Sequence, residues 1–399
     1  MTATCPYPFS EPDRLEVDPH YAKARAQDPV TRVTLPHGGD GWLVTRYDDV
    51  RTVLADPRFS RAEIVGADVP RVRPEIDHEA SSILNMDPPE HSRLRRLVAR
   101  AFTVRRVEAL RPRAAELTAR LLADLRAAGP GADLVEHVSV PLPVTIICEV
   151  LGVPVEDREI FRAGADAALS TTSMTAGDRV QARTTMITYM AGLIARRRTE
   201  PTDDLLGAMV AARDEDDRLS EAELIGLAMG ILIAGHETTM NQISNMTYTL
   251  LTRPDHGAEL RDDPDGIAAG VEELLRFTPL GASAGFPRIA TEDVELSGVT
   301  VRAGDAVLVS VIAANRDPSV FDHPDELDLH RTDNHHIGFG HGAHHCLGAQ
   351  LARMELQEAI GGLLREFPDL RLAGPAQGVE WRKGGFVRGP KALPLAWGA

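Results

Sequence analysis

The sequence predicts a mainly α-helical protein with a smaller β region. Residues 88 to 275 carry mostly helical periodicity and helix-cap residues. Strand-like alternation and turn signals gather near the two ends of the chain. One capped helical pattern starts at Ser220 and can run to Arg253, before Pro254. At 1.5 Å per residue that is roughly 50 Å, long enough to cross the whole molecule.

Taken in order, "TRVTL" (31–35) and "GWLVT" (41–45) flank "PHGGD" as a hairpin. "YDDVRTVLADP" follows as a helix that ends at Pro57. Residues 60–85 have little periodicity and several prolines, so they read as a long loop of the kind that carries function. In "DPPEHSRLRRLVARAF", Asp87 reads as an N-cap with prolines in the first turn. Further helices fit 104–127, 142–151, 156–170, 177–198 and 203–213. Ser220 and Glu223 have capping-box spacing. The stretch 224–235 beyond them is apolar all round, which predicts burial on every side. Residues 288–311 alternate and turn like β-structure, a helix follows Cys346, and short strands close the chain. We therefore expect one domain over 1–399. Its β-rich parts lie mainly at 30–60, 286–312 and 370–399, and its helical parts at 88–275 and 347–367.

The 399 residues are 43% apolar and 26% charged, ordinary values for a globular protein. A net charge of −16 argues against nucleic acid as a partner. Cys5, Cys148 and Cys346 make no disulfide framework and suit a reducing compartment. No apolar run approaches about 18 residues, so no membrane partner is expected. The first residues lack a basic start and an apolar core, which predicts a cytoplasmic protein.

Four constellations bear on chemistry. "FGHGAHHCLG" (339–348) sets Cys346 among His341, His344, His345 and three glycines. A zinc site lacks regular ligand spacing here. A nucleophile needs a base oriented by a third group, and His345 is merely adjacent. A plain turn explains the glycines but not the cysteine. A haem-thiolate loop explains more. Gly340, Gly342 and Gly348 let backbone approach a flat macrocycle. The helix that follows favours an anionic sulfur. Phe339 can shield that sulfur, and His344 can donate to a propionate. On the long helix, "HETT" brings His236, Glu237, Thr238 and Thr239. It reads either as a polar turn reaching the surface or as a proton-delivery site in a wet notch. Thr238 can bond back to the Ala234 carbonyl. Glu273 and Arg276 share a helix face at i, i+3. His91 and Arg95, at i, i+4, face one way as two cationic donors, which suits an anion or a solvated basic face.

Together these stretches resemble the cytochrome P450 family. "FGHGAHHCLG" is similar to its cysteine loop F-G-x-G-x-[HR]-x-C-x-G, "AGHETT" to A-G-x-[DE]-T-T, "ELLR" to E-x-x-R, and "HSRLR" to H-x-x-x-R. The order matches over nearly the whole chain, and the look is of actinomycete enzymes that tailor macrolides and other polyketides. One segment departs: Glu326 and Leu327 stand where the family has an aromatic residue and an arginine.

The resemblance implies a long central helix over a buried haem b (iron protoporphyrin IX), with Cys346 as axial iron ligand. It implies that Glu237 and Thr238 deliver protons during oxygen activation. His91, Arg95, Arg288 and His344 would hold the propionates. Phe339, Gly340, Ala234 and Gly235 would line the cofactor, the last two being small where oxygen and substrate must fit. Glu273, Arg276 and Arg331 would form a buried network. O2 would be co-substrate, and electrons would come from NAD(P)H through a ferredoxin reductase and a ferredoxin, the latter docking near Arg96, Arg100 and Arg105. Ile83, Met229, Leu232, Ile233, Ala282, Ser283, Phe286 and Phe386 would face a hydrophobic, medium-to-large aliphatic secondary metabolite. The alternatives are a peroxide-driven peroxygenase and a non-catalytic haem-thiolate binder or sensor.

Overall fold

The computed structural model describes residues 4–72, 80–169, 173–214 and 219–398. Its elements begin with β1 (Cys5–Pro6), α1 (Pro19–Gln27), β2 (Val30–Thr34), β3 (Asp40–Val44), α2 (Tyr47–Ala55) and β4 (Phe59–Ser60). The helical stretch holds α3 (Glu90–Ala99), α4 (Val104–Ala128), α5 (Pro141–Leu151), α6 (Arg158–Leu169), α7 (Ala176–Thr199), α8 (Leu205–Asp214), α9 (Glu221–Leu251), α10 (Pro254–Asp262) and α11 (Ile267–Phe277). Then come β5 (Arg288–Ala290), β6 (Val294–Leu296), β7 (Val299–Val301), β8 (Ala306–Val309), α12 (Val311–Ala314), α13 (Ala349–Glu366), β9 (Arg371–Leu372) and β10 (Leu395–Ala396). The chain folds into two compact units.

The first unit comprises Met1–Arg96, Gly281–Leu327 and Asp333–Cys346. Its centre is a six-stranded mixed sheet in the order β1-β2-β3-β8-β5-β4. The expected hairpin is β2 antiparallel to β3, with Thr31 opposite Leu43. Side chains alternate across these strands. Val44, Val307 and Val309 pack with Val50 and Val53 of α2 and with Phe321. Leu43 and Leu308 face the other way, onto Tyr7 and Tyr21.

Three expectations change in this unit. The 60–85 segment is not one long loop: β4 reaches Ser60, and single 3-10 turns sit at Ala62–Ile64 and Ile83–Asn85. Residues 73–79 of that expectation lie outside the described residues. Asp87 does not cap α3 with its side chain. Its carboxylate accepts from the Ser60 hydroxyl and the Arg61 N–H, leaving its carbonyl to receive the His91 N–H at 2.9 Å. The β structure is also not gathered into one region. β9 pairs only with β10, in the second unit, because Leu395 exchanges backbone hydrogen bonds with Gly131 and Ala132 after α4.

The second unit comprises Leu97–Leu280, Asp328–Thr332 and Leu347–Ala399. α9 is its 31-residue axis, about 46 Å long. Its N-terminus has the full capping box: Glu223 N–H to Ser220 Oγ at 3.2 Å, and Ser220 N–H to Glu223 Oε2 at 2.7 Å. A 3-10 turn at Val155–Asp157 precedes α6, so the 156–170 helix starts later than expected; residue 170 is outside the described residues. Burial along α9 reverses the expectation. Apolar residues 224–235 leave a stripe uncovered, at Met229, Gly230, Ile233 and Ala234. The more polar turns from Thr239 to Leu250 are buried all round. They can be, because their polar groups find partners: Ser244 reaches Ser139 at 2.9 Å, Asn245 the Arg388 carbonyl at 3.0 Å, and Thr247 the Ile243 carbonyl at 2.8 Å.

Candidate active site

The cysteine loop is shaped by two left-handed residues, Gly340 at φ 75° and Gly342 at φ 71°. The Cys346 N–H closes the loop onto the Phe339 carbonyl at 2.8 Å. Gly342 has a second reason to be glycine: a Cβ there would lie 2.5 Å from the Leu54 carbonyl oxygen of α2. The glycines are thus set by loop backbone and by α2. Gly348, with φ −87° and nothing near its Cβ position, has no such demand. Cys346 is exposed and forms no disulfide, three residues before the first residue of α13. Among the described residues no group of three or more His, Cys, Asp or Glu is placed to hold a metal ion, so the zinc reading has no ligand set.

The first unit also gathers cations. His91 and Arg95 come from α3, Arg288 from β5 and His344 from the loop. The His91 and His344 rings lie 4.2 Å apart. Arg95 donates to the His345 carbonyl at 2.7 Å, and Arg288 to the Phe59 carbonyl at 3.1 Å. A fifth member, Arg61, was not anticipated; nothing periodic in its segment singles it out. It donates to the Leu84 carbonyl and Asn85 Oδ1, both at 2.8 Å, and to the Pro287 carbonyl. Burial, then the charge of Arg288, pushes Arg61 down to about 9. Burial, then His91, Arg288 and Arg61, pushes His344 down to about 3. Burial and Arg95 lower His91 as well.

These groups are short of an anion. Asp87 is the carboxylate that acts on Arg61, His91, Arg288 and His344, and it is engaged by Ser60 and the Arg61 backbone. His91 Nδ1 and His344 Nε2 are buried without a hydrogen-bond partner. Orphaned buried imidazole nitrogens beside the arginines Arg61, Arg95 and Arg288 fit a ligand that brings carboxylates, as haem propionates do.

In the second unit, the Thr238 hydroxyl donates to the Ala234 carbonyl at 2.9 Å, as expected. Ala234 and Thr238 are one turn apart along the uncovered side of α9. Glu237 is 3% exposed, so neither the polar-turn reading nor free solvation describes it. Its Oε1 accepts from Arg382 Nη1 at 3.0 Å and from Asn241 Nδ2 at 3.2 Å. Sequence reasoning missed both partners. Asn241 stands at i+4 from Glu237, a spacing that could have flagged it, whereas Arg382 is 145 residues away. Gly235 meets α5: a Cβ would lie 2.6 Å from Ile147. Its small size thus seats α5, whereas Ala234 is the exposed small residue.

A model of the family described as Cytochrome P450 matches residues 175–390. The chain belongs to the cytochrome P450 family. It is 52% identical to the nocardicin C N-oxygenase of Nocardia uniformis subsp. tsuyamanensis, over 99% of both chains. It is 50% identical to the mycinamicin IV hydroxylase/epoxidase of Micromonospora griseorubida, over 100% of both. The solved structure of HinD with NMFT and NO superposes with a TM-score of 0.96 at 49% identity, covering 100% of both chains. This P450 is a monooxygenase that uses haem iron and O2. The family draws electrons from redox partners. No helix among the described residues is long and apolar enough to cross a membrane.

In this P450, Glu273 anchors a buried network in the second unit. Glu273 and Arg276 are fully buried and bidentate, at 2.7 and 2.8 Å. Arg331 adds a contact at 3.1 Å and the Asp328 N–H another at 3.0 Å. Arg331 thus reaches Glu273 despite the departure at Glu326 and Leu327, where Glu326 is exposed and Leu327 buried.

The residues expected to meet substrate divide between the units. Ile83, Ala282 and Ser283 are half-buried in the first, and Phe286 is 41% exposed, with the Arg61 guanidinium 5.1 Å from its ring centre. Met229, Ile233 and Phe386 are half-buried in the second. Leu232 is the exception. It is 1% exposed, and its carbonyl receives His236, which puts it on the packed side of α9.

Proposed function

We propose that this P450 inserts one oxygen atom from O2 into a medium-to-large aliphatic secondary metabolite, by hydroxylation or epoxidation of a macrolide or related polyketide. Its cofactor is haem b, whose iron Cys346 would hold. The observation that carries the reading is the anion-deficient group His91, Arg95, Arg288, Arg61 and His344, built around the same loop as Cys346. His91, Arg95, Arg288 and His344 hold the propionates through charge-assisted bonds, and Arg61 braces the segments that carry them. When bound, the haem iron supplies activation of dioxygen. Thr238 holds a hydroxyl on the uncovered side of α9, and Glu237 holds the carboxyl from which protons come. Glu273, Arg276 and Arg331 keep the segment before the cysteine loop in place. The whole described chain acts as one catalytic domain.

Support for the macrolide class is the 50% identity to an enzyme described as mycinamicin IV hydroxylase/epoxidase. The 52% identity to a nocardicin C N-oxygenase gives a second reading, oxygenation at nitrogen. Spin-state titration of the ferric protein with macrolide aglycones and with amine-bearing compounds separates them. Tight shifts only with the amines favour nitrogen oxygenation. An intact acid–hydroxyl pair favours the O2-dependent monooxygenase over a peroxygenase or a sensor.

Electrons come from NAD(P)H through a ferredoxin reductase and a ferredoxin, in a cytoplasmic setting. Arg96 in the first unit and Arg100 and Arg105 in the second are each exposed, basic residues on an acidic protein. Charge reversal there should slow reduction by ferredoxin and flatten its salt dependence. Unchanged rate and salt dependence would remove these residues from the docking surface.

A further inference from the structure

α9 presents two hydrogen-bond acceptors to each other with no donor between them. His236 is 2% exposed, and its Nδ1 lies 2.8 Å from the Leu232 carbonyl oxygen one turn back. A carbonyl only accepts, so Nδ1 carries a proton. In the neutral ring Nε2 is then a bare acceptor. That atom is buried, has no hydrogen-bond partner, and lies 3.8 Å from Glu237 Oε2. Glu237 Oε1 is already taken by Arg382 and Asn241. An orphaned buried ring nitrogen 3.8 Å from a carboxylate oxygen is stabilised by a shared proton or a water's hydrogens between them.

We propose that His236 and Glu237 hold one exchangeable proton in common, so that His236 positions and resupplies the carboxyl beside Thr238. The proposal rests on the reading of Glu237 as the source of protons. As the shared proton leaves through Glu237, the pair takes one back from solvent between Nε2 and Oε2; one proton leaves, one enters, and no electron moves. Arg382 cannot relay, because its guanidinium stays charged. It is 32% exposed, and so marks a side from which water reaches the pair. Among the described residues Glu355 of α13 also lies near this turn, fully buried against Thr239, and burial pushes its carboxyl up. From α5, Ile147 packs against this turn at Gly235.

A purely structural histidine would need Nδ1 and its Leu232 bond but not Nε2. His236→Asn separates the two roles, since the amide can still donate to the Leu232 carbonyl while Nε2 is lost. Two measurements on the haem-loaded protein test the proposal. In 15N-histidine-labelled, carbon-monoxide-bound ferrous enzyme, the His236 Nε2 resonance, assigned by its loss in H236N, should move well beyond its line width on Glu237→Gln. An unmoved resonance overturns the shared proton. This measurement stands even if H236N folds poorly, because assignment can use His236→Gln. In turnover with O2, H236N should keep the carbon monoxide spectrum, substrate affinity and reduction rate. Its product yield per NADPH should fall at least threefold, with matching hydrogen peroxide and an altered pH profile of that yield. Wild-type yield and profile in H236N overturn the resupply role. Full yield in E237Q would instead overturn the reading of Glu237 itself, a result distinct from an unmoved resonance.

Discussion

Replacing His344 by glutamine should remove a defined part of the acid sensitivity of the haem-free protein. Burial and the cations His91, Arg288 and Arg61 push His344 from 6.5 down to about 3. Between those values the unfolded chain binds a proton that the folded site refuses. Protons therefore favour unfolding: the stability is complete above 6.5 and is lost as pH falls toward about 3. Each pH unit in that window is worth about 1.36 kcal/mol, so going from pH 6.5 to 5 costs about 2 kcal/mol. Glutamine takes up no proton. Urea unfolding of haem-free wild type and H344Q, at pH 7 and at pH 5, reads the difference directly. Wild type should lose about 2 kcal/mol more than H344Q. Loading with haem brings carboxylates to the same cations, and the difference should shrink. Parallel pH curves for the two haem-free proteins would refute the placement of His344 among unneutralised cations.

Two substitutions test the supports of the site. Glu273→Gln leaves Arg276 buried with its ion pair broken, and should destabilise the protein by about 3–5 kcal/mol in urea unfolding, with little folded yield. Gly342→Ala forces a left-handed alanine, about 1–2 kcal/mol from φ alone, and adds a clash with the Leu54 carbonyl. It should lower haem content per chain while far-UV circular dichroism stays helical.

Where local chemistry decides, the sequence was readable. Ser220 and Glu223 start α9 where their spacing says, and Thr238 bonds Ala234 because both groups belong to one helix turn. Glu273 and Arg276 meet for the same reason. What was not readable depends on residues far apart in the chain. The polar turns 239–250 are buried because Ser139 and Arg388 supply partners, and no periodicity within α9 reports that. Arg61 joins the cations through the carbonyls of Leu84 and Pro287, and Arg382 finds Glu237 across 145 residues. Asp87 looked like a cap because its spacing from the helix was right; the Arg61 N–H and Ser60 hydroxyl compete for the same oxygens and win.

The central claim is that Cys346 ligates haem iron. The carbon monoxide difference spectrum of the reduced protein, recorded beside Cys346→Ser, tests it most directly. Wild type should show the long-wavelength Soret band of a thiolate-ligated haem, and C346S should lose that band while staying folded. A wild-type protein that is folded and haem-loaded but lacks the band, or a C346S variant that keeps it, would contradict the account.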